Sequence, residues 1–65
     1  METPYEYLKK EINRAERYGR IKFAREVKGE IFMARRLNAI TKTEFTELTE
    51  CIDSVELSLE LSNAQ

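Results

Sequence analysis

The sequence predicts an all-α fold in which three helices form one small domain. Apolar residues recur at intervals of three and four along most of the chain, which is the spacing of one face of an α-helix. Two glycines and one proline in 65 residues leave few positions that break a helix. Capping patterns at Thr3 and Thr41 mark helix starts. We therefore expect an αα-hairpin with an N-terminal helix packed on it, in a single domain over 1–65.

The first helix is predicted at about 4–18. Thr3 can cap it, Pro4 suits the first helical position, and Glu6 stands where a capping box requires it. Gly19 can adopt the left-handed conformation that ends a helix, although it could also lie within one longer helix. One apolar stripe follows the helical period: Tyr5, Leu8, Ile12 and Ala15.

The second helix is predicted at about 20–37. Its stripe is flanked by Phe23 and Leu37, which we expect to border the core. Gly29 interrupts the helix at a cost of about 1 kcal/mol relative to alanine. It either permits close approach of another backbone or marks a bend. The stripe consists of four residues: Ala24, Val27, Ile31 and Ala34.

The third helix is predicted at about 42–61, and its start has the clearest local pattern in the chain. Asn38 can take the left-handed conformation that ends the helix before it. Thr41 and Glu44 fit a capping box, while Ile40 and Phe45 fit a hydrophobic staple. The apolar stripe is narrow, as in a coiled coil. It consists of five residues: Phe45, Leu48, Ile52, Val55 and Leu59.

The turn within residues 37–48 resembles that of the SHOCT-type module. That family is a two-helix hairpin with a leucine, a glycine, two branched apolar residues, a threonine and a Glu-Phe pair. Here Asn38 stands at the glycine position, Ala39 replaces one branched residue, and Lys42 and Thr43 replace the usual acidic residues. Similar turns occur in short helical proteins of phages and mobile elements. The resemblance implies an oligomerisation or docking hairpin and not an enzyme.

The composition excludes several classes of functional site. The chain has no histidine and one cysteine, which excludes a structural zinc site, a disulfide framework and a Ser/His or Cys/His nucleophile. We therefore expect no enzyme activity, no catalytic residues, no metal and no cofactor. No apolar run approaches about 18 residues, and the start lacks the apolar core of a signal peptide. We expect a cytoplasmic protein without a membrane partner.

Charge is divided along the chain. Residues 1–40 carry a net charge of +4 and residues 41–65 a net charge of −5. One interpretation is that oppositely charged helix faces help the hairpin to close. The other interpretation is that basic side chains and an aromatic ring on the outer side of the second helix bind a partner. Arginine and aromatic residues are enriched in binding hot spots. A helical wheel places one set there: Arg25, Lys28, Phe32, Arg35 and Arg36.

Two further features favour association with other molecules. Leu57 and Leu61 project about 180° away from the apolar stripe of the third helix, so we predict that they form a dimer contact, with a frayed helix end as the alternative. Phe32 could instead be covered by the first helix or by a second copy. A chain of 65 residues buries too little surface for a wide stability margin, and self-association compensates for this. We therefore expect a homodimer.

The sequence thus favours a protein-interaction module, a small helical regulator or inhibitor that docks on a larger protein. Its size also suits a protein encoded by a phage or mobile element and directed at a host or defence protein. The alternative is a nucleic-acid-binding accessory protein that uses the basic face of the second helix. A helix-turn-helix with the third helix as reader is disfavoured, because Glu44 and Glu47 would stand beside phosphates.

Overall fold

The computed structural model describes residues 1–63, and residues 64 and 65 of the predicted domain lie outside that range. It contains three helices, α1 (Pro4–Tyr18), α2 (Ile21–Arg36) and α3 (Lys42–Asn63), and no strand within the described residues. Each helix packs against both others, and the radius of gyration is 11.7 Å. The predicted all-α, three-helix class is confirmed. None of the three described helices is apolar over a length that could cross a bilayer.

The ends of α1 are fixed by its caps. The Glu6 N–H donates to the Thr3 hydroxyl at 3.1 Å, and the Thr3 N–H donates to the Glu6 carboxylate at 3.3 Å, which completes the capping box. Gly19 has φ 67° and donates its N–H to the Ala15 carbonyl at 3.0 Å. Because Gly19 is left-handed, α1 ends there, and the alternative of one longer helix is wrong.

The end of α2 is a Schellman motif. Asn38 is the only non-glycine residue with positive φ among residues 1–63, at 58°. Its N–H donates to the Arg35 carbonyl at 3.1 Å, and the Ala39 N–H donates to the Ala34 carbonyl at 2.8 Å. These two bonds satisfy carbonyls that the helix leaves without partners. Asparagine therefore performs at this position the role that glycine usually has.

A second cap follows at once and starts α3. The Glu44 N–H donates to the Thr41 hydroxyl at 3.1 Å, and the Thr41 N–H donates to the Glu44 carboxylate at 2.8 Å. Ile40, the residue between the two caps, is buried in the core. The connection between α2 and α3 is thus hydrogen-bonded on both sides and anchored in the middle.

The core lies where the three apolar stripes meet. Glu11 is the only buried charged residue among those described. Leu48 and Ile52 of α3 and Val27 and Ile31 of α2 are fully buried. The buried apolar residues come from all three helices and from the turn: Leu8, Ile12, Ala15, Ala24, Val27, Ile31, Ile40, Leu48, Ile52, Val55 and Leu59.

Two residues of α2 differ from their predicted surroundings. Leu37, expected to flank the core, is exposed because it follows the last turn of α2 and lies at the edge of an open groove. Gly29 lies within an unbroken helix, and a Cβ atom there would meet nothing within 4 Å. Close approach of another backbone within the chain is therefore the wrong explanation for Gly29.

Leu48→Ala is expected to lower the free energy of unfolding by about 2–4 kcal/mol, because the lost side chain leaves a cavity between three helices. Urea unfolding followed by circular dichroism measures the change. Leu37→Ala removes the same atoms from an exposed position and should change stability by about 0.5 kcal/mol or less. Equal effects of the two substitutions would show that Leu48 is not in the core.

Candidate interaction surfaces

The edge between α2 and α3 is closed by a lysine that faces two carboxylates. The Lys28 ammonium nitrogen lies 2.7 Å from an Asp53 oxygen and 4.0 Å from Oε1 of Glu56. That Glu56 oxygen is buried and accepts no hydrogen bond from the described residues. The hydrogen bond to Asp53 is the main cause that raises the pKa of Lys28, and partial burial opposes it. Lys28 therefore compensates the negative charge of a partly buried site.

In the other ion pairs between helices, the acid also comes from α3. Arg25 lies 3.8 Å from Glu60, and Lys9 lies 3.7 Å from Glu47, which also accepts a hydrogen bond from the Tyr5 hydroxyl. Among residues 1–63, every ion pair between two helices joins a base of α1 or α2 to an acid of α3. This geometry supports the interpretation that opposite charges help the hairpin to close.

The predicted partner-binding residues do not share one outward face. Arg25 and Lys28 pair with α3, and the Phe32 ring lies 5.4 Å from the Phe45 ring of α3. The wheel placed these residues away from the core, and none of them is buried there, but Arg25, Lys28 and Phe32 lie along the edge that faces α3. A helical wheel defines the buried side of α2 from its apolar stripe alone. In the fold, α2 contacts both α1 and α3, so less of the α2 surface faces solvent than the wheel indicates.

The remaining members of this set lie at the C-terminal end of α2. The Arg35 guanidinium donates to the Asn38 side-chain oxygen at 3.3 Å, and Arg36 is exposed. Phe32 is half-exposed, and its ring packs against Phe45 of α3. The members of the predicted set that stay exposed are therefore Arg25, Phe32 and Arg36, of which Phe32 and Arg36 lie one turn apart.

The structure has an apolar groove between the start of α1 and the end of α2. The site residues predicted from the sequence did not include it. Its large side chains are exposed by 46% at Tyr7, 52% at Met33 and 71% at Leu37. The groove has a volume of about 290 Å³ and is lined by eight residues: Pro4, Tyr7, Leu8, Glu30, Met33, Ala34, Leu37 and Ala39. The spacing of Met33 and Leu37, one turn apart, is visible in the sequence, but only the packing shows that this flank meets Tyr7.

Carboxylates stand beside this apolar groove. Burial, followed by repulsion from Glu11 and Glu26, raises the pKa of Glu30. Repulsion from Glu11 and Glu30 is also the main cause that raises the pKa of Tyr7. Glu11 is buried, and its carboxylate lies 3.2 Å from the guanidinium of Arg14 in the same helix. Glu11 and Glu30 thus add negative charge beside Tyr7, at the margin of an apolar surface.

The predicted dimer contact lies on α3. Leu57 and Leu61 are exposed by 59% and 64%, away from the core stripe. Helix α3 continues beyond both residues to Asn63, and the dimer contact and its frayed-end alternative both stay predictions. The two leucines are one turn apart and form a second apolar patch, on a different helix from the groove.

Lys28→Met is expected to lower the stability of the fold more than Arg25→Met does, because the Asp53 and Glu56 carboxylates would lose the ammonium group that lies near both. Arg25→Met is the matched control. Both partners of the Arg25–Glu60 pair are more than half exposed, so its loss should cost about 0.5 kcal/mol or less. Thermal unfolding at neutral pH compares the two variants, and equal losses would contradict the bridging role of Lys28.

The stability difference between the wild-type chain and Lys28→Met should depend on pH. A folded-state pKa above the usual 10.5 means that the Lys28 contribution is complete below that pH. It is lost as the pH rises through the folded-state value. The stability difference between the wild-type chain and Lys28→Met should therefore shrink above about pH 10.5. A difference that stays constant over this range would show that the charge of Lys28 is not its cause.

No group of three or more metal-ligating side chains is close enough within residues 1–63 to hold a metal ion. No family model, curated protein or solved structure matches the chain.

Proposed function

We propose that the chain is a protein-interaction module that docks on a larger protein and regulates or inhibits it. The observation that carries the proposal is the open apolar groove, in which Tyr7, Met33 and Leu37 remain exposed in the folded chain. Contiguous exposed apolar residues with a polar margin are typical of protein-binding surfaces. The docking role that the turn resemblance implies agrees with this proposal.

The basic set predicted from the sequence forms a second candidate surface. Phe32 and Arg36 remain open to solvent, so they can still contact a partner. Arg25 and Lys28 already face carboxylates of α3, which reduces the positive charge that they offer. Arg35, which donates a hydrogen bond to the Asn38 side chain, stays a proposed partner-binding residue of this surface. We rank this surface after the groove because much of its charge is used within the fold.

The same ion pairs weaken the nucleic-acid alternative. Binding to a phosphate backbone depends on uncompensated lysine and arginine charges. Here Asp53, Glu56 and Glu60 stand beside the bases of α2 and would repel phosphates. The proposal that the protein comes from a phage or mobile element and acts on a host or defence protein is supported by its size and by the resemblance of residues 37–48 alone.

A tagged wild-type chain is expected to capture a protein from a lysate of the cells that encode it, and nuclease treatment should not reduce the capture. Met33→Gln with Leu37→Gln should abolish it, because these changes replace the exposed apolar side chains of the groove. Phe32→Ala with Arg36→Glu tests the second surface in the same way. Mass spectrometry of the captured material gives the readout.

Lys22→Gln, at an exposed position of α2 outside the groove, is the matched control and should capture as well as wild type. Circular dichroism checks that every variant remains helical. Capture that disappears with nuclease would favour the nucleic-acid alternative. Absence of any captured protein would contradict the docking function.

The proposed homodimer gives a separate prediction. Light scattering at micromolar concentration should report twice the 7.7 kDa mass of one chain. Leu57→Ser with Leu61→Ser should reduce this mass to that of one chain, because the apolar patch on α3 is lost. Met33→Gln with Leu37→Gln should leave the mass unchanged. A wild-type mass of 7.7 kDa would show that the two leucines are not a dimer contact.

A further inference from the structure

The groove between α1 and α2 has two chemically different levels. The two helices are antiparallel, since only Gly19 and Arg20 separate them and the start of α1 shares the groove with the end of α2. Glu11 follows Tyr7 by four residues along α1, and Glu30 precedes Met33 by three residues along α2. Each carboxylate is therefore about one helical turn from an apolar side chain, in the same direction. The apolar level of the groove, formed by Tyr7, Met33 and Leu37, therefore adjoins an acidic level that contains Glu11 and Glu30.

The acidic level has a deficit of positive charge. Glu11 faces the Arg14 guanidinium, which is itself half-exposed and also lies 3.4 Å from the Tyr18 hydroxyl. Glu30 forms no ion pair with any of residues 1–63. Repulsion from Glu26 adds to that from Glu11 at this position. Among residues 1–63, Arg14 is the only base that forms an ion pair with Glu11, Glu26 or Glu30, and it pairs with Glu11 alone.

We infer that the groove binds an amphipathic helix of another protein, which carries two apolar side chains one turn apart and a lysine or arginine one further turn along. The apolar pair would fill the level between Tyr7, Met33 and Leu37, and the base would face Glu30, which lines the groove, with the buried Glu11 of α1 adding to the negative charge there. This partner class rests on the proposed docking function and specifies its chemistry.

A second copy of the chain does not offer this chemistry. The other exposed apolar pair, Leu57 and Leu61, has Asp53 one turn before it, so α3 of a second copy would bring an acid to the acidic level. A two-fold pairing of the groove with itself would bring Glu11 and Glu30 of both copies to one interface. Charge complementarity therefore favours a basic helix of a different protein.

Selection from a displayed library of 14-residue helical peptides tests this assignment without a known partner. The full-length wild-type chain is the target, and peptides that also bind Met33→Gln with Leu37→Gln are removed. We expect enriched peptides to contain an apolar pair with i, i+3 or i, i+4 spacing, followed or preceded by lysine or arginine one turn away. Fluorescence anisotropy of a labelled enriched peptide then gives its affinity.

The charge contact is isolated by a double-mutant cycle. Changing the peptide base to glutamine should weaken binding about tenfold, and Glu30→Gln in the protein should weaken it by a similar factor. The two changes together should weaken it little more than either alone, because they remove the same contact. Glu50→Gln, at an exposed position of α3 outside the groove, is the matched control and should leave the affinity unchanged. Glu30 is exposed, so its replacement by glutamine preserves the fold, and circular dichroism checks this.

Three results would overturn the assignment: no enrichment, enriched peptides with neutral or acidic residues at the basic position, or additive effects in the cycle. The capture experiment with lysate distinguishes a wrong partner class from a wrong docking function. If a protein is still captured through the groove, docking stands and the basic helix is the wrong partner class. If capture also fails, the docking function falls with it.

Discussion

The hydrogen-bonded connection between α2 and α3 determines how the rest of the molecule is arranged. The Schellman motif at Asn38 ends α2, and the capping box at Thr41 starts α3 only three residues later. With Ile40 buried between them, this connection has little freedom to change the relative position of the two helices. It brings the basic edge of α2 alongside the acidic helix that follows, where Lys28 meets Asp53 and Glu56.

Local chemistry made much of this fold predictable from the sequence. The caps at Thr3 and Thr41 and the left-handed residues Gly19 and Asn38 act through their nearest neighbours, so their patterns are sufficient to identify them. The apolar stripes likewise identify the buried side of each helix. The resemblance of the turn to the SHOCT-type module adds a functional hypothesis to this local chemistry.

The surfaces were less predictable, because they depend on which helix lies beside each flank. A wheel of α2 alone places Arg25 and Lys28 on the outside, whereas α3 approaches that edge and pairs with both. The same wheel cannot show that Met33 and Leu37 meet Tyr7, since that requires the position of α1. A surface shared by two helices has no signature within either one, and this is why the groove was missed.

The three outer edges of the bundle differ in their electrostatics. Lys9 pairs across the α1–α3 edge and Lys28 across the α2–α3 edge, but no ion pair of the described residues crosses between α1 and α2. Both of these helices come from the basic part of the chain, yet Glu11 is buried on α1 and Glu30 of α2 lines the groove there. A basic helix in the groove would supply the opposite charge that this edge lacks and would cover its apolar side chains. Its binding would therefore stabilise the contact between α1 and α2 that forms the groove.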